Sequence, residues 1–389
     1  MFKVKILNNI KSDALDKLDS SRYELSTDAE TPEIIVVRSE QLHDMEINPE
    51  LLCIVRAGVG YNNIPIDRCA DEGVVVFNTP GANAEAVKEL VLCTLILSSR
   101  DILGGLEWVR SESGRGDEIA AVIEKEKARF NGPEIYGKTL GVIGLGAVGA
   151  KIAQAATSLG MCVYGYDPYL SVESAWKLSS DIIQASDLDK LYRDSDYISI
   201  HVPYLKSTHH FINKDSISKM KPGVRLINLS RAELVNDDDM LEALATGQIS
   251  RYVTDFPTGK TAGADGVIAI PHLGASTPES EENCVSMACS ELIEYVENGN
   301  IYNSVNMANA YLPRNGDPRI CVIHFNVPEM IAKISSVISS YDVNIENMLN
   351  ASTKGSIYAY TMLDVGSLPD GLDAAIRKIH GIIRVRVLP

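Results

Sequence analysis

The chain has 389 residues, 45% apolar and 23% charged, with a net charge of −16. That length exceeds a single hydrophobic core, so two or three domains are expected. The acidic balance argues against nucleic acid or an anionic membrane as partner, yet leaves room for a small anion held by local arginines; no apolar run is long enough to span a bilayer.

Residues 1–7 read as a first strand and not as a signal peptide. Further strand-like runs fall at 34–37, 52–55 and 74–77, with helical stretches such as 12–18 between them, the alternation of a parallel α/β sheet. Two of these runs end on Arg38 and Arg56, and the carboxyl ends of parallel strands line a ligand crevice. Arg56 leads into Ala57-Gly58-Val59-Gly60, whose backbone N–H groups suit a carboxylate. Both arginines are candidate anion ligands; pairing with local acids such as Glu40 or Asp67 is the alternative. Asn83 is placed to cap a long helix, 84–101, whose apolar middle marks it as buried and as a hinge candidate. Residues 111–116 are rich in Ser, Gly and charge, and 118–129 read as an amphipathic helix.

The most informative stretch follows. An apolar strand, 140–143, runs into Gly144-x-Gly146-x-x-Gly149, then a helical pattern over 147–159, a second strand over 162–166 and Asp167. Gly144 permits a tight turn, Gly146 lets backbone approach a pyrophosphate, and Gly149 lets the helix pack on the strand. The first helical amides, including those of Ala147 and Val148, face the phosphates. Asp167 can accept the ribose hydroxyls of NAD and would repel a 2′-phosphate, which makes NAD the expected cofactor.

Beyond it the alternation continues. A strand over 196–202 ends in His201-Val202-Pro203, and one over 225–229 ends in Leu229-Ser230-Arg231. A helix over 237–246 carries three acids in its first turn and Gly247 at its end. Strands over 252–256 and 267–270 follow, the second leading to Pro271-His272, and a helix capped by Thr277 runs from 278 to about 297. Arg231 offers a planar fork for a carboxylate, and His272 a base that titrates near neutrality. The pattern breaks near 310–317. The remainder, 317–389, reads β-α-β-β-α-β with a turn at Lys354-Gly355, a ferredoxin-like arrangement. The seven cysteines are odd in number and form no C-x-x-C, so they read as reduced core thiols of a cytoplasmic protein.

Arg56-Ala57-Gly58-Val59-Gly60, Asn78-Thr79-Pro80, the dinucleotide unit, His201-Val202-Pro203, Asn228-Leu229-Ser230-Arg231 and Pro271-His272-Leu273-Gly274-Ala275-Ser276-Thr277 carry a resemblance. Nearly the whole chain resembles the D-2-hydroxyacid dehydrogenases, most closely the D-3-phosphoglycerate dehydrogenases among them. The resemblance implies two doubly wound, Rossmann-like α/β domains with the active site between them. The substrate-binding domain would be 1–98 with 276–308, and the NAD-binding domain 99–275. It also implies oxidation of 3-phosphoglycerate by NAD to 3-phosphohydroxypyruvate, the first step of serine synthesis, in a homodimer or homotetramer and without a metal. Arg231 and His272 would be catalytic. Substrate contacts fall on Arg38, Arg56, Val59, Gly60 and Asn83. Cofactor contacts beyond the glycine loop fall on His201, Pro203, Leu229, Asp255 and Gly274.

The sequence departs from the family in two places. The family's third catalytic member is a glutamate in an Asp-Val-Phe-x-x-Glu-Pro stretch. Here Gly259 stands in the glutamate column and the aspartate is displaced to Asp255. Asp265 or Glu279 could supply the missing acid. Residues 317–389 resemble an ACT regulatory domain, with L-serine contacts implied at His324, Asn326 and Asn344, and removal of this module is expected to leave an active core. There, Glu329 of Val327-Pro328-Glu329 stands where the family often has the glycine of Arg-Pro-Gly. Two other readings stay open. One is a dehydrogenase of another 2-hydroxy acid, such as glycerate or 2-hydroxyglutarate. The other, favoured by Gly259 alone, is an NAD-sensing binding protein like the C-terminal-binding corepressors.

Overall fold

The computed structural model describes residues 1–389 except Asn9 and Lys11, and gives Glu173 as backbone only. The chain divides into two compact units, Met1–Ala82 with Glu281–Pro389, and Asn83–Ser280.

The first unit opens with five parallel strands: β1 (Phe2–Ile6), β2 (Tyr23–Ser26), β3 (Ile34–Val37), β4 (Cys53–Arg56) and β5 (Val75–Phe77). They lie in the order β2-β1-β3-β4-β5. The direction of winding reverses between β1 and β3, so ligands are expected at the carboxyl ends of those two strands. Arg38 follows β3 there. The Asn8 side-chain oxygen, just past β1, accepts the N–H groups of Arg38, Ser39 and Glu40 at 2.9–3.0 Å and ties the two strand ends together. The helix expected over 12–18 is a single 3-10 turn, Asp13–Lys17, capped by Ser12. Strand β2 was not expected, because Tyr-Glu-Leu-Ser carries too little apolar pattern to announce itself.

The second unit holds β6 (Thr139–Ile143), β7 (Cys162–Tyr166), β8 (Ile182–Gln184), β9 (Tyr197–Ile200), β10 (Val224–Asn228), β11 (Ile249–Thr254) and β12 (Val267–Ala269). They form one parallel sheet in the order β12-β11-β10-β9-β6-β7-β8. Its switch point lies between β6 and β9. Helix Ala84–Ser99, placed by the resemblance in the substrate-binding domain, packs on this sheet through Val87, Val91 and Leu95 against Leu140, Val142 and Ile152. Asn83 precedes it with φ −93° and ψ 6°, already near-helical. It therefore makes no side-chain cap, and its side-chain oxygen is buried without a partner. The helix expected over 118–129 breaks into Ile119–Glu126 and a 3-10 turn, Lys127–Phe130.

The chain returns to the first unit along Pro278–Ile293, which loosens to a π turn, Glu294–Asn298, and stops at Gly299 in the left-handed conformation. Four antiparallel strands follow: β13 (Arg319–Phe325), β14 (Ile345–Ala351), β15 (Tyr358–Val365) and β16 (Ile382–Leu388), in the order β14-β15-β13-β16, with helices Met330–Ser340 and Leu372–Arg377. One face of this sheet, with Ile320, Val322, Leu363 and Val385, packs under the two helices. The other face, with Cys321, Ile323, Tyr360, Met362 and Leu388, shares a core with Val4, Phe77, Cys289 and Tyr295. So 317–389 does not stand as a separate body. The signal was the run Ile320-Cys321-Val322-Ile323, apolar on both alternating faces and thus buried on both. Arg319 and Asp364, both fully buried, pair at 2.6 Å beneath the linker, and Arg319 also donates to the carbonyls of Asn298, Leu312 and Pro313. None of the seven cysteines is paired; Cys93 and Cys162 are exposed and five are buried. Among the described residues no helix is long and apolar enough to cross a membrane.

Candidate active site

In the second unit, β6 delivers the glycine loop to the switch point. Gly144 adopts φ +91°, and a Cβ there would lie 2.6 Å from the carbonyl oxygen of His201 at the end of β9. A Cβ on Gly149 would lie 1.9 Å from the Gly144 carbonyl, so the helix Ala147–Ser158 can approach the turn only with glycine there. Gly146 differs: a Cβ there would meet nothing within 4 Å. The turn is bare at that point, and the helix's first amides, those of Ala147 and Val148 among them, have no carbonyl partner within the helix. That is the cradle a pyrophosphate requires. Asp167, half-buried after β7, accepts the N–H of Leu145 on one oxygen and that of Tyr169 on the other, both at 2.9 Å. Each oxygen retains a lone pair for a ribose hydroxyl. The residues present therefore fit NAD.

His201 is partly exposed as a residue, but burial around its ring pushes the pKa down to about 3, so the imidazole is neutral. A ring nitrogen lies 2.7 Å from the Ser199 hydroxyl. Pro203 is exposed in the following loop, and Leu229 is buried beside β10.

Arg231 leaves β10 through a turn held by Asn228, which is fully buried. The Asn228 side-chain oxygen accepts the N–H groups of Ser230 and Arg231, and its amide donates to the Arg231 carbonyl at 2.8 Å. The Arg231 guanidinium lies 5.4 Å from the centre of the Phe256 ring, and that ring lies 4.4 Å from the His272 ring. Phe256 thus brings together the two residues singled out for catalysis, a part the sequence did not assign to it. His272 adopts φ +51°, the left-handed region that costs a non-glycine residue about 1–3 kcal/mol. Its ring is exposed, and among the described residues no side-chain hydrogen bond reaches it. Gly259 is exposed, and a Cβ there would meet nothing within 4 Å. Asp255 is 1% exposed. Its carboxylate accepts the N–H of Leu273 at 2.7 Å and of Gly274 at 2.8 Å.

In the first unit, Arg38 pairs with Glu281 at 2.8 Å and not with Glu40 or Asp67. Arg56 donates from Nε to the Arg38 carbonyl at 3.0 Å. A Cβ on Gly58 would lie 2.6 Å from an Arg56 terminal nitrogen, so glycine gives the guanidinium its room. Val59 is exposed, and its carbonyl is held by the Asn78 side chain at 2.6 Å, which fixes the loop that carries the Gly60 amide. Near β13, His324 is 2% exposed, and its two ring nitrogens contact the Phe325 carbonyl and the Thr361 hydroxyl, each at 2.8 Å. Its donors and acceptors are turned inward. Asn326 and Asn344 are exposed and donate to the Ser356 carbonyl and to Glu346.

Residues 93–274 match the family model described as D-isomer specific 2-hydroxyacid dehydrogenase, NAD binding domain. A protein of Escherichia coli named D-3-phosphoglycerate dehydrogenase is 33% identical over 347 residues, which cover 85% of this chain and 80% of that relative. A hydroxypyruvate reductase of Thermotoga maritima is 35% identical over 262 residues, 64% of this chain and 80% of the relative. Among solved structures, the NAD-bound 3-phosphoglycerate dehydrogenase of Entamoeba histolytica superposes with a TM-score of 0.59 at 24% identity, over 80% of this chain and 99% of that one. With the bare glycine loop, the acid after β7 and the Arg231–Phe256–His272 grouping, these likenesses make the chain a member of the D-isomer specific 2-hydroxyacid dehydrogenase family, an NAD-dependent oxidoreductase.

Proposed function

We propose that the chain oxidises D-3-phosphoglycerate to 3-phosphohydroxypyruvate, the first step of L-serine biosynthesis. The observation that carries this reading is the 33% identity to the Escherichia coli D-3-phosphoglycerate dehydrogenase over most of both chains. Held at the glycine loop and Asp167, NAD would supply the acceptor for the hydride leaving C2 of the substrate. His272 takes the proton of the C2 hydroxyl, and Arg231 holds the carboxylate with its planar fork. Arg38, Arg56 and the amides of Val59 and Gly60 bind the anionic groups of the substrate, and His201, Pro203, Leu229 and Gly274 line the cofactor's path. The resemblance assigns substrate binding to 1–98 with 276–308, NAD binding to 99–275 and effector binding to 317–389, with helix Ala84–Ser99 packed on the NAD-binding sheet.

Residues 317–389 support a ferredoxin-like, ACT-type reading by their βαββαβ order and by the strand order β14-β15-β13-β16. In that reading, edge strands of two copies join into a longer sheet in a homodimer or homotetramer. Asn326 and Asn344 then face L-serine, while His324 shapes the site from beneath. The enzyme works in the cytoplasm. A second reading, reduction of hydroxypyruvate or a related 2-oxo acid, is favoured by the Thermotoga maritima relative.

Comparing kcat/KM for D-3-phosphoglycerate, D-glycerate, 2-hydroxyglutarate and, in reverse, hydroxypyruvate tests the assignment. The phosphorylated substrate should lead, and Arg56→Ala should raise its KM about 10- to 100-fold, the loss of one charge-assisted contact worth roughly 1.5–3 kcal/mol. A preference for hydroxypyruvate would move the chain to the second reading. Absence of any turnover would favour a sensing role. Calorimetry with L-serine at millimolar concentration tests the effector half separately.

A further inference from the structure

The family's third catalytic member is missing at Gly259, yet the His272 loop is held firmly. Asp255, the first residue after β11, grips that loop from beneath. Its backbone carbonyl shares the N–H of His272, at 3.1 Å, with the Ile270 carbonyl at 3.0 Å, and its two carboxylate oxygens accept the N–H groups of Leu273 and Gly274 at 2.7 and 2.8 Å. Three successive amides therefore converge on one residue, and a pair of consecutive amides is a built anion nest. Gly274 leaves no slack: a Cβ there would lie 2.9 Å from the Asp255 carboxylate.

The grip falls where strain has to be held. His272 sits at φ +51°, a conformation that persists only when its surroundings enforce it. The imidazole has no hydrogen-bond partner among the described residues, and on the ring itself only the packing of Phe256 acts. Burial pushes the Asp255 pKa up, against the opposing pull of the Gly274 and Leu273 amides and of His272.

We propose that Asp255 is the positioning residue of the His272 loop, performing through the backbone and at close range the orienting task that a glutamate at position 259 would perform through the ring. This assignment replaces direct cofactor contact as the role of Asp255, since both of its oxygens are committed to the loop and the residue is 1% exposed. It rests on the reading of His272 as the base.

The test is a mutant cycle in the full-length chain. Asp255→Asn keeps the shape, but sets an amide NH2 against one of the two N–H groups. It should lower kcat by about 100-fold, the cost of a misplacement of roughly 1 Å, and leave KM for NAD within about twofold. Added to His272→Asn, it should cost nothing further, because a residue that acts only through His272 has nothing left to position. Gly259→Glu in the Asp255→Asn background should recover part of kcat by supplying a ring partner. Gly274→Ala presses on the same carboxylate from the other side and should reproduce both the kcat loss and its absence in the His272→Asn background, a readout that a cofactor contact at Gly274 would not give and that holds where Asp255→Asn fails to fold. A raised KM for NAD with kcat intact would return Asp255 to the cofactor and overturn the proposal. Full additivity with His272→Asn would overturn it too. A wild-type protein that makes no NADH from any 2-hydroxy acid would instead defeat the reading of His272 on which the proposal stands.

Discussion

Two carboxylates close the loops at the carboxyl edge of the seven-stranded sheet, and each does so with both oxygens. Asp167 takes the amides of Leu145 and Tyr169, and Asp255 takes those of Leu273 and Gly274. The hydrogen bonds are alike in kind and length, and the difference is burial. Asp167 is half-buried and keeps open lone pairs, so it can hold its loop and a ribose at once. Asp255 is 1% exposed and spends its charge on the backbone alone. Contacts of one type thus leave the acid after β7 with capacity for a ligand and commit the acid after β11 to the chain itself. The deeper a carboxylate lies, the more completely it must be matched from within the chain.

Substitutions that remove the chemistry and leave both acids in place should have the largest effect. His272→Asn and Arg231→Gln should each lower kcat by about 10²–10⁴, the span of acid–base catalysis, with the fold and NAD affinity retained. Loss of NAD binding in either variant would show that the His272 loop serves the cofactor and would erase the contrast with Asp167.

Next comes a carboxylate buried more deeply than either. Asp364 is fully buried and matched by Arg319. Asp364→Asn leaves a buried guanidinium uncompensated and should cost about 3–5 kcal/mol of stability in chemical denaturation. Deleting 317–389 should do more: it strips Cys321, Ile323, Tyr360, Met362 and Leu388 from a shared core, where each large apolar side chain contributes about 1.5–3 kcal/mol. The truncated chain should fail to fold its first unit, whereas a stable, active remainder would restore the picture of a separable module.

Glu291 is the opposite case, a buried acid barely matched. It is 5% exposed, and one oxygen accepts from Asn303 at 2.6 Å while the other has no partner. Burial raises its pKa to about 8. A carboxyl whose folded pKa lies above its unfolded value binds more protons when folded. Its contribution to stability is therefore complete below the usual carboxylate range and fades as pH rises toward about 8. Glu291→Gln should flatten the fall in melting temperature across that window. An unchanged slope would mean that Glu291 is ionised and matched in solution.

The smallest effect belongs to the acid nearest solvent. Asp167→Ser should narrow the preference for NAD over NADP by about 10- to 100-fold, one charge-assisted contact and its repulsion, with little change in melting temperature. A large loss of stability would place Asp167 beside Asp255 as a structural residue.

The glycine loop could be read from the chain because its requirements are local. Gly144 needs a positive φ, Gly149 a close approach, and Asp167 a fixed distance along the sequence. The Asp255 grip could not, because it joins the backbone amides of Leu273 and Gly274 across 18 and 19 residues, and a backbone amide leaves no mark in the side-chain sequence of the bond it makes. Arg231 and His272 could be found as residue types after strands. Phe256 between them could not, since an aromatic at a strand end is usually core. The union of the C-terminal sheet with the first unit was written in Ile320-Cys321-Val322-Ile323, but a linker-like composition at 310–317 argued louder for separation.

The central claim, hydride transfer from the substrate's C2 with His272 as base, is tested most directly by D-3-phosphoglycerate deuterated at C2. Mass spectrometry of the reduced cofactor should show one deuterium in NADH, kcat should not exceed that of the unlabelled substrate, and His272→Asn should form the same labelled NADH far more slowly. Reduced cofactor without deuterium, or no reduced cofactor from this substrate, would contradict the account.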